Sequence, residues 1–200
     1  MNICVFSSSS NGIGDCYIHD AVELATLIAK NKMTLVNGGA NVGLMEVVSA
    51  TAVKHGAKTI GVIPEKMTHR NLVSDKMHEV IISKDMQERK ARMRELSDAY
   101  IALPGGFGTL EEILEVITLK QLDYLNAPVV FINTNGFFDD LFRQFERSYH
   151  ENFAKENYRK IYFVAKTPHE AINYIINYKP ENLGTKWHEV PIRHQSGRVK

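Results

Sequence analysis

Short apolar runs alternate with longer amphipathic stretches along most of the chain. The apolar runs predict seven strands, at Ile3–Phe6, Thr34–Asn37, Thr59–Ile63, Glu79–Ile82, Tyr100–Leu103, Val129–Ile132 and Ile161–Val164. The stretches with helical periodicity predict helices at Asp15–Lys30, Leu44–His55, Asp85–Leu96, Leu110–Leu122, Phe137–Asn152 and His169–Asn177. Several strand runs are almost continuously apolar, as in parallel strands that are covered on both faces. This alternation predicts an α/β protein with a doubly wound parallel sheet flanked by helices.

The chain of 200 residues predicts one domain, over residues 1–178, followed by a polar tail at 179–200. The tail is predicted because apolar periodicity ends at Tyr178 and prolines and glycines are scattered beyond it. Apolar residues make up 44% of the chain and charged residues 24%, the balance of an ordinary soluble domain.

Charge and hydropathy exclude several function classes. The 24 basic and 23 acidic residues give a net charge of +1, so no broad positive field favours nucleic acid. No apolar run approaches the roughly 20 residues that span a bilayer, and the first residues lack the basic flank of a signal peptide. Cys4 and Cys16 form no C-x-x-C pair. We therefore expect a cytoplasmic protein without membrane or nucleic-acid partners.

The segment Pro104–Glu112, with the sequence PGGFGTLEE, lies between a predicted strand and a predicted helix. Glycines at such a junction let a ligand approach the backbone, and the N–H groups of a helix start attract anions. We expect Glu111 and Glu112 on the first turn of that helix. Thr109 and Glu112 also have the spacing of a capping box. This alternative explains the two residues by the stability of the helix start alone, but it does not explain the glycines.

A second glycine loop, Gly38–Met45, also follows a predicted strand and precedes a predicted helix. Gly39 and Gly43 could cradle a phosphate there. The spacing is not the G-x-G-x-x-G of dinucleotide-binding loops, however, and the alternative is a tight turn that packs the helix on its strand. The chain contains no Walker sequence, which disfavours triphosphate hydrolysis.

Arg89 lies on the apolar side of a predicted helix, on one face with Met86, Met93 and Leu96. Burial of an arginine is costly unless an anion pairs with it, so this position indicates an anionic partner. The alternative is that the side chain extends along the surface to solvent. His169-Glu170 lacks the second histidine of H-E-x-x-H, and neither a metal site nor a cofactor is predicted.

Three segments together resemble the LOG (lonely guy) family of cytokinin riboside 5′-monophosphate phosphoribohydrolases. They are P-G-G-x-G-T-x-x-E at Pro104–Glu112, E-R-K-A-x-M at Glu88–Met93 and GG-x-x-x-GLM at Gly38–Met45. The resemblance implies a Rossmann-like sheet, a homodimer or higher homo-oligomer, and hydrolysis of the N-glycosidic bond of adenine-type nucleoside 5′-monophosphates. The products would be free base and ribose 5-phosphate.

By position, the resemblance implies that Arg89 and Glu112 are the catalytic pair. The expected substrate-binding residues come from the same three segments and the helix that follows the first of them: Gly39, Gly43, Met86, Lys90, Gly105, Gly106, Gly108, Thr109, Glu111 and Thr118. The chain departs from the family at Ala40, where a third glycine is usual, and at Asn71, near which relatives often carry a ligand-contacting glutamate. These departures concern base or ribose selectivity more than catalysis.

Two alternatives stay open at this point. One is a non-catalytic nucleotide or molybdenum-cofactor binder on the same fold, which would not need Glu112 and Arg89 together. The other is a broader nucleoside 5′-monophosphate nucleosidase that accepts ordinary purines. Family members have often been labelled lysine decarboxylases, but the sequence offers no support for a pyridoxal phosphate site.

Overall fold

The structure is a computed structural model and describes residues 1–181. Its centre is a sheet of seven strands in the order β4-β3-β2-β1-β5-β6-β7, and every pairing is parallel. The strands are β1 Asn2–Phe6, β2 Thr34–Asn37, β3 Thr59–Pro64, β4 Glu79–Ser83, β5 Ala99–Ala102, β6 Val129–Ile132 and β7 Phe163–Ala165. The predicted α/β doubly wound parallel sheet is therefore confirmed. Of the predicted tail 179–200, all residues from 182 onwards lie outside the described residues.

Helices connect the strands and cover both faces of the sheet. They are α1 Asp15–Lys30, α2 Gly43–Lys54, α3 Glu65–Thr68, α4 Met86–Glu95, α5 Phe107–Gln121, α6 Asp139–His150 and α7 Pro168–Ile176. Short 3₁₀ turns lie at Thr134–Gly136 and Glu156–Lys160. The six predicted helices are present, and the structure adds the one-turn α3. None of the helices in the described part is long and apolar enough to cross a bilayer.

The core has two parts because side chains alternate between the faces of each strand. On β1, Ile3 and Val5 pack with α1, α2 and α7 on one face, and Cys4 and Phe6 pack with α4 and α5 on the other. All four side chains are almost fully buried. Burial on both faces explains why the strand segments are almost continuously apolar.

The strand order reverses direction at β1, which lies between β2 and β5. Ligands of doubly wound sheets bind beyond the carboxyl ends of the strands at such a switch point. Here the chain leaves β1 as Ser7–Ser10 and leaves β5 as Pro104–Gly106, and the two segments touch, because Ser8 N donates to Pro104 O at 3.3 Å. Leu44 N, in the second glycine loop, donates to Ser8 O at 2.9 Å, so the segment after β1 contacts both glycine loops at this edge of the sheet.

Candidate active site

Arg89 is placed by the start of α4. Asp85 caps the helix by accepting a hydrogen bond from Glu88 N at 2.8 Å, and the Glu88 carboxylate accepts one from Lys84 N at 2.8 Å. The second bond goes to the residue before the N-cap, so this is a variant of the capping box, and the two bonds fix where the helix begins. Arg89 follows within the first turns and is only 8% exposed. The surface alternative for Arg89 is therefore wrong.

The buried guanidinium of Arg89 has partners from two other elements. Its Nε donates to the carbonyl oxygen of Val62 in β3 at 3.1 Å. Its Nη1 lies 3.7 Å from Glu112 Oε1 and 3.7 Å from the sulfur of Met86, which is itself half-exposed. Buried charges are tolerated where such partners are present.

Gly38 provides the space for this guanidinium. A Cβ atom on Gly38 would lie 3.0 Å from Arg89 Cζ and 3.0 Å from Met45 Sδ, and it would overlap Arg89 Nη2. No side chain fits at Gly38 while Arg89 stays where it is. The doublet Gly38-Gly39 was a visible signal, but sequence reasoning assigned its role to Gly39 and missed Gly38.

Glu112 lies deeper in α5 than predicted, because the helix begins earlier than the predicted Leu110. The N-cap residue is Gly106 and the first helical residue is Phe107, so Thr109 lies inside the helix and Glu112 lies in its second turn. Thr109 is buried rather than capping, and no side chain caps this helix. Both the capping-box alternative and the expected place of Glu111 and Glu112 on the first turn are therefore wrong. Glycines at the junction let the helix start sooner than the apolar pattern indicates.

The environment of Glu112 acts on its proton affinity in two directions. Burial raises the pKa of the Glu112 carboxyl, since the charged form loses its hydration. The positive charge of Arg89 opposes that rise. The net direction is upward, so Glu112 is a carboxyl group that gains a proton more readily than an exposed glutamate. Such perturbed carboxyl groups are typical of acid–base sites.

The loop before α5 combines one tightly packed glycine with two open ones. A Cβ atom on Gly105 would lie 2.7 Å from Thr109 Cβ and 3.0 Å from Ser8 N, whereas Gly106 and Gly108 have open space at their Cα atoms. The N–H group of Leu110 makes the first helical hydrogen bond, to Gly106 O at 3.1 Å. The N–H groups before it have no helical partner and can bind an anion.

The second glycine loop is explained largely by packing. Gly39 has φ of 66° and a Cβ there would lie 3.1 Å from Gly61 Cα. Gly43 has φ of 56°, and a Cβ there would lie 2.6 Å from the carbonyl carbon of Ser9. Both positions therefore require glycine without any ligand. Their role in substrate binding stays a prediction.

The departures from the family have structural places. Ala40 is buried and pairs with Val73 in an isolated antiparallel bridge. Asn71 is left-handed, with φ of 53°, and its carbonyl accepts a hydrogen bond from Asn41 Nδ2 at 3.0 Å. These contacts join the second glycine loop to the segment after α3.

Of the remaining predicted binding residues, Lys90 and Glu111 lie beside the Arg89–Glu112 pair and Thr118 does not. Lys90 forms an ion pair with Glu111 and a second one, at 3.3 Å, with Glu115, so these residues clamp α4 to α5 next to the Arg89–Glu112 pair. Burial alone would lower the pKa of Lys90, but its bonds to Glu111 and Glu115 outweigh this and raise the pKa. Thr118 is exposed and donates to Leu114 O at 2.8 Å. It lies about 9 Å along the helix from Glu112, and the structure does not bring it to the pair.

A cavity of about 410 Å³ lies elsewhere, next to α7, and is not part of this site. Its wall includes the buried Lys120, whose Nζ donates to Ala127 O at 2.8 Å and lies 4.7 Å from the ring centre of Tyr178. Chemistry rather than cavity size therefore identifies the candidate site, which is the place where a buried carboxyl, a buried guanidinium and a glycine-rich helix start meet.

Comparison with known proteins identifies the family. Residues 45–175 match the profile of a family described as "Possible lysine decarboxylase". Cytokinin riboside 5′-monophosphate phosphoribohydrolase LOG4 of Arabidopsis thaliana is 40% identical over 186 residues, which cover 92% of this chain and 86% of that protein. LOG5 of the same plant, with the same enzyme name, is 38% identical over 182 residues, covering 91% and 80%.

A solved structure has the same architecture. The molybdenum cofactor binding protein of Rippkaea orientalis superposes with a TM-score of 0.69 at 28% identity, covering 88% of this chain and 94% of that one. Sequence identity over nine tenths of the chain is higher with the plant enzymes. This chain therefore belongs to the LOG family, whose plant members carry the name cytokinin riboside 5′-monophosphate phosphoribohydrolase.

Proposed function

We propose that this protein hydrolyses the N-glycosidic bond of adenine-type (cytokinin) nucleoside 5′-monophosphates and releases free base and ribose 5-phosphate. The observation that carries the proposal is the buried Arg89–Glu112 pair, at 3.7 Å, beside the glycine-rich start of α5. The plant relatives at 38–40% identity bear the name of this activity. The proposed catalytic residues are Arg89 and Glu112.

The start of α5 is the proposed phosphate site. Gly106 and Gly108 leave open space on the backbone there, and the first N–H groups of the helix face outward. The positive end of the helix dipole favours the doubly charged 5′-phosphate. A phosphate held at this point fixes one end of the nucleotide, so that the ribose extends towards Glu112.

Glu112 is the proposed acid–base group. Cleavage breaks the bond between ribose C1′ and the base nitrogen and builds positive charge on the ribose, which a carboxylate stabilises. The same carboxylate accepts a proton from the attacking water as the new C1′–O bond forms. The base nitrogen takes up a proton as it leaves, so the reaction consumes one water and no other reactant.

Arg89 is the proposed positioning charge of the pair. Burial raises the pKa of the Glu112 carboxyl, and the charge of Arg89 opposes that rise and so favours the ionised form, which is the form that acts as a base. Val62 O and the space at Gly38 hold the guanidinium in place. Lys90 and Glu111 are proposed to support the ligand through the clamp between α4 and α5.

The test is base release measured by chromatography, with AMP and isopentenyladenine riboside monophosphate as substrates. We expect free base and ribose 5-phosphate in equal amounts, and a loss of rate of about 10²–10⁴ in Glu112→Gln. Glu95→Gln, which removes an exposed carboxylate of α4, is the matched control and should keep the wild-type rate. No base release from either nucleotide, or undiminished release by Glu112→Gln, would refute the assignment.

Two rivals give different results in the same experiment. A broader nucleosidase would accept ordinary purine 5′-monophosphates as well as the isopentenylated one, so a substrate panel separates it. A molybdenum-cofactor or nucleotide binder would release its ligand intact, and the fold shared with the Rippkaea orientalis protein makes this the relevant non-catalytic alternative. The homodimer, the cytoplasmic location and the absence of nucleic-acid partners stay predictions, of which light scattering tests the first.

A further inference from the structure

Three metal-ligating side chains of α1 meet on the face of the sheet opposite to the candidate active site, and a fourth from α7 adjoins them. His19, Asp20 and Glu23 of α1 place one donor atom each within 4.8 Å of one another. His169 of α7 extends the group, because its Nε2 lies 3.3 Å from Glu23 Oε1. We propose that these four residues bind a transition-metal ion of the Zn²⁺ type that joins α1 to α7. The proposal is independent of the hydrolytic function.

The fold fixes the backbone on which these donors stand. His19 and Glu23 are four residues apart on α1, so their side chains point to one face of the helix. The donor His169 comes from a segment that is remote in sequence. His169 stands in the first turn of α7, whose start is fixed by Thr167, which accepts from Glu170 N at 3.2 Å.

Packing between the two helices keeps the donors together. Leu24 of α1 and Ile172 of α7 lie in the same buried cluster and are almost fully buried. His19, Glu23 and His169 line one surface cavity of about 310 Å³ above this contact. These three donors therefore border a space that an ion can enter from solvent, and Asp20 adjoins it through His19.

Asp20 is oriented by a contact from outside the cluster. Thr134, which follows β6, donates its hydroxyl to Asp20 Oδ2 at 2.5 Å. Oδ1 is then the oxygen on the side of His19, 3.6 Å from its Nδ1. Metal-ligating carboxylates are commonly held by such an outer hydrogen bond.

The donor set selects the class of ion. Two imidazoles and two carboxylates suit Zn²⁺ and similar ions, whereas Ca²⁺ and Mg²⁺ prefer oxygen donors alone. Tetrahedral Zn²⁺ holds its ligand atoms about 3.3 Å apart. The three α1 donors lie within 4.8 Å of one another, and His169 joins them through its 3.3 Å contact with Glu23, so binding requires the donors to move closer together. The imidazoles are 77% and 69% exposed, so rotation of these side chains can close the gap. The motif-based prediction of no metal site did not consider donors from two helices.

The competing explanation is a pair of ordinary surface contacts between histidine and carboxylate. Exposed pairs of this kind contribute little to stability and bind no ion. The two explanations predict different zinc binding. Only a defined metal site binds one ion per chain at saturation and loses affinity when the histidine of either helix is removed.

The experiment uses the full chain without an affinity tag, stripped with a chelator and titrated with ZnCl₂ by calorimetry at pH 7.5. We expect one zinc per chain, and at least a tenfold weaker affinity in His19→Ala and in His169→Ala. His55→Ala, an exposed histidine at the end of α2, is the matched control and should bind as the wild type does. At a free zinc concentration of 100 times Kd, Tm should rise by about 5–10 °C.

The proposal is overturned by any of three results. These are the absence of saturable binding, equal zinc affinity in the wild type and both histidine variants, or an equal rise in Tm with MgCl₂ or CaCl₂. Circular dichroism confirms that each variant is folded, which is expected because the substituted imidazoles are exposed.

Discussion

Replacement of Gly38 by alanine tests whether the position of Arg89 controls the reaction. The new methyl group would lie 3.0 Å from Arg89 Cζ and overlap Nη2. Non-bonded carbon atoms pack about 3.5–4.0 Å apart, so the guanidinium has to retreat by roughly 1 Å. Gly38 does not have a positive φ, and alanine therefore adds no backbone strain. The substitution moves one charged group and leaves the fold in place.

The size of the effect follows from the two contacts that the retreat disturbs. These are the 3.1 Å hydrogen bond from Arg89 Nε to Val62 O and the 3.7 Å approach of Nη1 to Glu112. A buried hydrogen bond of a charged group contributes about 1.5–3 kcal/mol, so the free energy of unfolding should fall by about that amount. A misplacement of 1 Å costs about 100-fold in rate, so kcat/KM for base release should fall by about two orders of magnitude.

The assay combines chromatography of the free base with urea unfolding. Gly12→Ala is the matched control, since no atom lies within 4 Å of a Cβ at Gly12, and it should change neither quantity. In an Arg89→Ala background the clash with the guanidinium is absent and only the 3.0 Å contact with the flexible side chain of Met45 is left. Adding Gly38→Ala there should cost less than about 0.5 kcal/mol. Wild-type activity in Gly38→Ala, or the same stability loss in the Arg89→Ala background, would refute the reasoning.

Three further predictions concern single groups. Gly106→Ala should lower the free energy of unfolding by no more than about 1 kcal/mol, the cost of alanine at an N-cap, but raise KM at least tenfold, because the open space at its Cα is the proposed phosphate site. An unchanged KM in steady-state kinetics contradicts that site. Since the pKa of Glu112 is raised, the unfolding free energy of the wild type should fall relative to Glu112→Gln as pH rises from 4 to 7, and urea titrations that show a rise contradict it. Burial lowers the pKa of Lys120 to about 8, so the unfolded chain binds more protons up to about pH 10.4. The stability of the wild type relative to Lys120→Met should then increase between these pH values, and a flat difference excludes the shift.

The positions of the strands and the two-sided core were largely predictable from local pattern. Segments such as Val129–Ile132 are apolar at every position, and such runs are typical of strands buried on both faces. The ends of elements were less predictable. The apolar pattern predicted that α5 starts at Leu110, whereas the helix begins at Phe107. Glycine has no side chain and so adds nothing to an apolar periodicity, even where it adopts the helical conformation.

The α/β class, the two glycine loops and the residue types of the candidate pair follow from the order of residues along the chain. The burial of Arg89, the space that Gly38 leaves for it and the 3.7 Å approach of Glu112 follow from the packing of the folded chain. The same packing places His169 beside His19 and Glu23, although His169 is far from both in sequence. The physical reason is that hydrophobic periodicity is a local property, whereas the pairing of charges depends on which helices the sheet order places side by side.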